Sequence, residues 1–549
     1  MILAYFHYRR RQMMIRDEDL GHDFGDDFQT DDEENQAERS FVGYDTDTDN
    51  TLNLSTNSMD LNNIPSWPQS YRGSIDMLTS PSISSLKLSN VAGITNPLTS
   101  FCKRRPSSES SSSLLTKPLI HHQVPEKEEV PISTLPSKLS ASTQSKFSCN
   151  ELPPPTKQSS FAQAVLNGIN ILCGIGLLTT PYAVKEGGWL SLLVLFLFGV
   201  LCCYTGTLLK ECLETSPQLT TYPDIAQAAF GFGGRLTISI LLYFELYAAC
   251  VEYVIMMSDN LSTLFPDTFM SFAGRNLNSH QIFPLIATII VLPTVWLRDL
   301  SLLSYLSVGG VGATILMSVC LLWVGTVDKV GFHHNGIALD LAKLPFAVGI
   351  YSYGFSGHAV FPNIYSSMKD PSAFTSVLII SFIFCWFMYT GVAICGFLMF
   401  GDTIKSQFTL NMPTQLVASK IATWTAVVNP LTKYALTITP VALSLEELMP
   451  SSNRFKYCNA SLIIRTSLVI STLVVAQTFP FFGFVMAFVG SSLAMLAAVI
   501  FPCACYLRIL RGRLTKFQVA ACIFTISVGL LTACFGTYSS VKRMADRAL

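Results

Sequence analysis

Apolar stretches of bilayer length recur along most of this 549-residue chain, and they limit what it can fold into. A helix needs about 20 mostly apolar residues to cross the hydrocarbon core of a membrane. From residue 159 onward, windows of that kind follow one another with short connections. Half of the residues are hydrophobic and only 13% are charged, whereas about a quarter are charged in soluble domains. The sequence therefore predicts an all-α polytopic membrane protein.

We expect about eleven transmembrane helices within a membrane domain, 159–540, followed by a short C-terminal tail, 541–549. The stretch YPDIAQAAFGFGG before the third window is amphipathic, and it is expected to lie on the membrane surface. The windows are 160–183, 188–213, 236–264, 281–297, 301–326, 343–366, 373–400, 416–446, 460–480, 482–508 and 517–538.

Residues 1–158 have the composition of a disordered, acidic and Ser-rich cytosolic tail. The acidic block RDEDLGHDFGDDFQTDDEENQAE and the Ser- and Pro-rich runs ESSSSLL and ELPPPTKQSS bury too little apolar surface to offset chain entropy. The run from Arg104 to Ser107, RRPS, matches the pattern of a basophilic kinase site, which makes a kinase a candidate partner. The net charge of −1 gives no reason to expect a nucleic acid partner.

Lysine and arginine in short loops favour the cytosolic side of a membrane. With the N-terminus in the cytosol, ten such residues lie inside and five lie outside. The inside set is Lys210, Arg235, Arg298, Lys369, Arg454, Lys456, Arg508, Arg511, Arg513 and Lys516, and the outside set is Lys185, Arg275, Lys329, Lys343 and Lys405. An eleven-span chain leaves the basic end VKRMADRAL outside, against this trend. If the last apolar run does not cross, that end returns inside.

The first and sixth windows both contain helix breakers. NGINILCGIGLLTTPYAVKEGG includes Gly174, Gly176 and Pro181, and LPFAVGIYSYGFSGHAVFPNIYSSMKDP includes Gly354 and Pro362. Backbone groups freed inside a membrane are tolerated where they line a protected cavity. The two windows stand five helices apart, so the two halves of the domain would run in opposite directions, as in inverted-repeat transporters. The alternative is that the glycines only allow close helix packing.

Unwound backbone also suggests a ligand. Free N–H groups at the start of a half-helix attract a carboxylate, and free carbonyls suit an ammonium group or another cation. An amino acid zwitterion carries both charges a short distance apart. The pattern therefore favours a substrate site between the two broken windows.

Several separate motifs resemble those of the amino acid/auxin permease family. They are GIGLLTTPYAVKEGGW, YFELYAACVEYVIMMSDNL, GFSGHAVFPNIYSSMKDP and ITPVALSLEE. The sequence is most similar to the plant vacuolar amino acid transporter group of that family, over residues 158–540 but not over the tail. The resemblance implies a LeuT-like 5+5 inverted repeat plus one helix, and proton-coupled amino acid transport at the vacuolar membrane, or tonoplast.

The expected substrate-binding residues lie in the two broken windows. Asn170 matches an asparagine that lies near ion and substrate in sodium-coupled members of the family, although it would also serve as a hydrogen bond between helices. Aromatic rings in the sixth window would close over a bound side chain. The full set is Asn170, Ile171, Gly174, Ile175, Gly176, Tyr353, Gly354, Phe355, Ser356 and Gly357.

The third window carries three carboxylates spaced seven residues apart, Glu245, Glu252 and Asp259. Seven residues are nearly two helical turns, so the three share one stripe. Carboxylates inside a membrane are costly and usually face a cavity. Glu252 is nearest to mid-depth and is the main candidate for proton coupling. Glu245 is a second candidate or a packing anchor, and Asp259 lies near the outer end.

Two basic side chains are further candidates for proton coupling. His358 is the only histidine in a predicted window, and an imidazole titrates between cytosolic and acidic pH. It would relay protons or serve a structural role. Lys433 lies in the eighth window, and in the related fold the first and eighth helices flank a cation site in sodium-coupled members. Lysine there would supply the positive charge itself, unless it extends to an interface.

The predicted function is secondary active transport of neutral or broadly selected amino acids, coupled to protons, by alternating access. Neither a catalytic constellation nor a phosphate loop is present, so we expect no enzyme activity, cofactor or metal. Two alternatives stay open: an amino acid sensor that signals through the tail, and a plasma-membrane permease for amino acids or auxin. The residues do not distinguish uptake into the vacuole from release, or antiport from symport.

Overall fold

A computed structural model of the chain describes Tyr71, Ile75 and residues 159–272, 275–297, 309–333, 336–449 and 454–548. Apart from Tyr71 and Ile75, the expected tail and its kinase motif lie outside the described residues. The start of the fifth window, 301–308, and Arg298 also lie outside them.

The described part of the membrane domain is helical, apart from a hairpin in which Met270–Phe272 (β1) pairs with Arg275–Leu277 (β2). The helices of the first half are α1 Phe161–Leu172, α2 Thr180–Gly187, α3 Ser191–Glu214, α4 Tyr222–Leu264, α5 Ser279–Trp296 and α6 Gly310–Thr326. Those of the second half are α7 Leu344–Gly354, α8 Phe361–Ser367, α9 Phe374–Phe400, α10 Val417–Glu447, α11 Arg454–Thr478, α12 Phe482–Val489, α13 Phe501–Ile509 and α14 Lys516–Ala548. Two π-helical segments, Gly490–Ala494 and Leu496–Ile500, join α12 to α13.

Length and apolar composition qualify seven of the described helices as membrane-crossing, or eight when the bent pair formed by α1 and the segment Ile175–Gly187 is counted as one span. Each of the eleven predicted windows overlaps one helix or one broken run of helices. The protein is therefore an integral, multi-pass membrane protein, whereas the number of eleven spans stays a prediction.

Local sequence signals explain where α4 begins and bends. Thr221 and Asp224 form a capping box, in which each side chain accepts a hydrogen bond from the other's backbone N–H. Gly231 has a φ of 71°, which a residue with a side chain adopts at a cost, and the helix bends there. The amphipathic stretch predicted to lie on the surface is the first part of α4. One of its faces is buried in the protein, and the Tyr222 hydroxyl donates to the Ala497 carbonyl at 2.6 Å.

The two broken spans run in opposite directions. Ser159, before α1, is hydrogen-bonded through its backbone to Ser367 at the end of α8. Gly187, at the end of α2, accepts a backbone hydrogen bond from Asp340, which precedes α7. We call these ends the Ser159 face and the Gly187 face. The antiparallel arrangement agrees with the odd number of helices predicted between the two windows.

Neighbouring helices hold the broken spans in place. α9 packs against α1 and α2, and α10 packs against α4 and α6. α14 lies at the periphery, where exposed side chains such as Phe524, Leu531 and Phe535 are suited to contact lipid. The residues expected as a C-terminal tail, 541–549, continue α14 as a helix to Ala548.

Candidate binding site between two broken helices

Each broken span unwinds close to its glycines. α1 ends at Leu172, Ile175–Thr179 form a 3₁₀ turn, and the two parts of the span are bent by 44°. α7 ends at Gly354, and regular helix resumes only at Phe361. Proline follows in the first turn of both α2 and α8, where its missing N–H is harmless. In each span, therefore, one helix ends and a second helix begins a few residues later.

The unwound segments meet at a pair of glycines. A Cβ atom added to Gly176 would lie 3.1 Å from the Cα of Gly354, which leaves no room for a side chain without a shift. The backbone N–H groups of Ile175 and Gly176 donate to no described residue. The two breaks are therefore in contact, and they leave free donors beside the contact.

A cavity of about 170 Å³ lies between the breaks. Nine of the ten residues predicted to bind substrate line it, together with two of the predicted proton-coupling residues. The lining is Asn170, Ile171, Leu172, Gly174, Ile175, Gly176, Glu245, Leu246, Ala249, Tyr253, Tyr353, Gly354, Ser356, Gly357, Ala359, Val360, Tyr389, Lys433 and Thr437.

Tyr389 on α9 links the two breaks. Its hydroxyl lies within hydrogen-bonding distance of the carbonyl of Leu172, the last residue of α1, and donates to the carbonyl of Gly354, the last residue of α7, at 2.9 Å. Both carbonyls are helix-end acceptors that need a donor in a membrane. One side chain thus stabilises the unwound ends of both spans.

We expect Tyr389→Phe to lower amino acid uptake by roughly fivefold or more, because a lost donor leaves a buried acceptor unsatisfied at about 1–3 kcal/mol. Initial uptake rates in proteoliposomes measure this. Tyr434→Phe is a matched control, since Tyr434 is also buried and its hydroxyl shares a hydrogen bond with Thr472 away from the cavity. Equal losses in the two variants would contradict a specific role for Tyr389.

The glycine contact gives a second prediction within one motif. Gly176→Ala should lower uptake by roughly fivefold or more, because overpacking costs about 1–3 kcal/mol and forces the two breaks apart. Gly174→Ala should be milder, since its Cβ would lie 3.7 Å from the nearest heavy atom, the Ile171 carbonyl oxygen. Uptake and thermal stability of both variants are compared in parallel. A larger loss in Gly174→Ala would show that the contact between breaks is unimportant.

A lysine reaches the first break from α10. The Lys433 ammonium donates to Oδ1 of Asn170 at 3.3 Å. Gly310 on α6 makes room for this pair, since a Cβ there would lie 2.4 Å from the Asn170 oxygen and 2.9 Å from the Lys433 nitrogen. No carboxylate of the described residues forms an ion pair with Lys433. The ammonium is thus held at the cavity wall by a neutral partner.

Two of the three carboxylates on α4 lie near the second break. Glu245 lines the cavity and accepts a 2.7 Å hydrogen bond from the Ser356 hydroxyl. Glu252 is fully buried, and neither of its carboxylate oxygens has a hydrogen bond to a described residue. Tyr353, which lines the cavity, interacts electrostatically with Glu252. A tyrosine therefore stands between the cavity and the buried carboxylate.

Three predicted residues lie behind the wall or at its edge. Phe355 is fully buried and stacks on Phe382 with ring centroids 5.8 Å apart, so it supports the wall without lining it. The Nε2 atom of His358, in the unwound segment before α8, lies 3.0 Å from the Thr205 hydroxyl and 3.1 Å from the Cys202 carbonyl on α3. Asp259, near the end of α4, accepts a hydrogen bond from Gln407 at 3.0 Å.

Part of the cavity lining was not among the residues predicted from the sequence. Leu246, Ala249 and Tyr253 follow Glu245 at helical spacing on α4, so the carboxylate stripe contained the signal for them. Tyr389 offered no such signal, because α9 is apolar on every side and has no periodicity from which to choose a face.

A cavity between two broken, antiparallel spans in a bundle of apolar helices is the arrangement typical of secondary transporters. The family model described as transmembrane amino acid transporter protein matches residues 157–542. The chain belongs to this family.

Curated relatives from Arabidopsis thaliana match nearly the full length. Amino acid transporter AVT1D is 55% identical over 498 residues, which are 89% of this chain and 89% of that protein. Amino acid transporter AVT1E is 53% identical over 537 residues, 96% of this chain and 97% of that protein. A solved structure of a Na⁺-coupled sialic acid symporter in a substrate-bound, outward-open state has a TM-score of 0.42 and 12% identity, over 70% of this chain and 89% of that chain.

Proposed function

We propose that the protein is a proton-coupled secondary active transporter of neutral or broadly selected amino acids. The main support for this proposal is the cavity between the two breaks, where free N–H groups and helix-end carbonyls lie together. Family membership and the similarity to Arabidopsis amino acid transporters support amino acids as the cargo.

The substrate carboxylate binds the free N–H groups of Ile175 and Gly176, at the start of the second part of the first span. Its ammonium group faces carbonyls of the second break and the Glu245 carboxylate on the opposite wall. The side chain extends toward Leu246, Ala249 and Tyr253. This wall is apolar and aromatic and has no charge complementary to one kind of side chain, which favours neutral or varied amino acids.

The proton is carried by the carboxylates of α4. Glu245 exchanges its proton directly at the cavity, and Tyr353 connects the cavity with Glu252. Burial disfavours the charged form of a carboxyl group, so a change in the surroundings of Glu252 would favour uptake or release of its proton. Movement of α7 against α4 would provide that change. Lys433 supplies the fixed positive charge at the first break, and His358 is a further titratable group behind the second break.

Transport proceeds by alternating access across a LeuT-like 5+5 inverted repeat with one additional helix. The antiparallel broken spans are the elements that such a repeat places at its centre. A rocking bundle would open the cavity first to the Ser159 face and then to the Gly187 face. The Lys and Arg distribution favours a cytosolic Ser159 face and a cytosolic N-terminus.

The membrane is proposed to be that of the vacuole, where an acidic lumen would provide the gradient. A fluorescent fusion in plant cells tests this location. Labelling of the vacuolar membrane supports it, and labelling of the plasma membrane points to the permease alternative.

Solute counterflow tests the proposed cargo without any imposed gradient. Proteoliposomes loaded with unlabelled amino acids should take up labelled amino acids from outside, and protein-free liposomes should not. Competition with single amino acids then ranks the substrates, and neutral ones should compete best. Counterflow that no amino acid supports would overturn the proposed function.

A further inference from the structure

Two side chains from the N-terminal region are buried in the membrane domain. Tyr71 and Ile75 are 1% and 0% exposed, although residues 76–160 separate them from α1. Both residues are helical, and a spacing of four places them on one side of a helical turn. The membrane domain therefore holds a site for a segment of its own N-terminal region.

Tyr71 binds at the second break. Its hydroxyl donates to the Ala359 carbonyl at 3.2 Å, and its ring meets that of Tyr243 edge-on, with centroids 6.1 Å apart. Ala359 lies in the unwound segment after α7 and lines the cavity. The hydroxyl thus occupies a backbone acceptor that unwinding had freed beside the cavity.

The charged neighbours of Tyr71 indicate on which side of the cavity it lies. It interacts electrostatically with Glu245 in the cavity wall and with Asp224 at the start of α4. That end of α4 is at the Ser159 face, because the Ser366 hydroxyl donates to the Thr220 carbonyl at 3.1 Å. Tyr71 therefore lies between the cavity and the Ser159 face.

We propose that Tyr71 and Ile75 form a plug that closes the cavity from the Ser159 face. The idea that this plug regulates transport rests on the proposed function. A transporter with the plug in place cannot open to this face, so the active population is reduced by the plugged fraction. The connection through residues 76–158 is long enough for the plug to leave without moving α1. Release of the plug would then activate the protein.

The test compares the full-length chain with a Tyr71→Ala, Ile75→Ala double variant. We expect the initial rate of amino acid uptake to rise roughly threefold to tenfold as the plugged population is released. Tyr71→Phe, which keeps the ring but loses the hydroxyl, should give a smaller rise. Tyr44→Ala, in the same N-terminal region, is the control and should leave the rate unchanged.

A second readout does not depend on transport. Ala359→Cys places a thiol beside the plug, and its rate of labelling by a methanethiosulfonate reagent is compared with that of the chain without this cysteine. The double variant should increase the labelling rate, and Tyr44→Ala should not.

The two readouts separate failure of the plug from failure of the proposed function. Faster uptake with faster labelling supports the plug. Unchanged labelling overturns it, and so does uptake that falls in the double variant. If no chain transports amino acids but labelling still becomes faster, the proposed function fails and the plug stands.

Discussion

Glu252→Gln should strongly lower the amino acid accumulation that a proton gradient drives. The substitution keeps the shape of a fully buried side chain but removes its ability to exchange a proton. Coupling between two ligands is typically worth about 1–3 kcal/mol, or roughly 5- to 150-fold. Accumulation driven by the gradient should fall by a factor in this range, while counterflow, which requires no net proton movement, should persist.

Glu214→Gln serves as the control for this experiment. Glu214 lies at the end of α3, where its side chain is 45% exposed and pairs with Lys210, so neutralising it should change uptake little. Gradient-driven accumulation that survives in Glu252→Gln would assign proton coupling to another group. Glu245→Gln would then be measured first, because Glu245 lies in the cavity wall.

Lys433→Ala should lower uptake roughly tenfold or more, since a hydrogen bond to a charged group is worth about 1.5–3 kcal/mol. The substitution removes the positive charge beside the Asn170 Oδ1 atom. If the ammonium occupies the position of a coupling cation, added sodium should restore part of the uptake in the variant and none in the original chain. Uptake measured with sodium or with choline as the external cation shows this difference.

The control for Lys433 is Lys420→Ala on the same helix. Lys420 is exposed and should tolerate the change. A Lys433→Ala variant with unchanged uptake would place this lysine outside the transport mechanism. A reduced uptake that sodium does not restore would retain a role for the charge and exclude its role as a cation substitute.

The breaks in the two spans can be predicted from the sequence because their causes are local. Gly174 and Gly176 remove side chains where the chain unwinds, and Pro181 and Pro362 lie in the first turns of the helices that follow. The antiparallel direction of the two spans follows from the count of helices between them. These features depend on residue type and order, which a sequence contains directly.

The direction of side chains within the breaks cannot be predicted from the sequence. Phe355 was expected in the cavity but packs behind it, since an irregular segment has no period from which to infer a face. The position of Tyr389 in the cavity wall and the burial of Tyr71 depend on contacts with segments more than 100 residues away in sequence. Composition describes residues 1–158 as a tail, and it contains no signal that Tyr71 and Ile75 are buried or that Tyr71 lies beside the cavity.

The most direct test of proton-coupled transport is uptake of a labelled amino acid mixture into proteoliposomes, with and without an imposed proton gradient. A proton-coupled transporter accumulates the amino acids above equilibrium only with the gradient, and the accumulation disappears when a protonophore collapses it. Equilibration at the same rate with or without the gradient would contradict proton coupling, and an absence of uptake with retained amino acid binding would favour the sensor alternative.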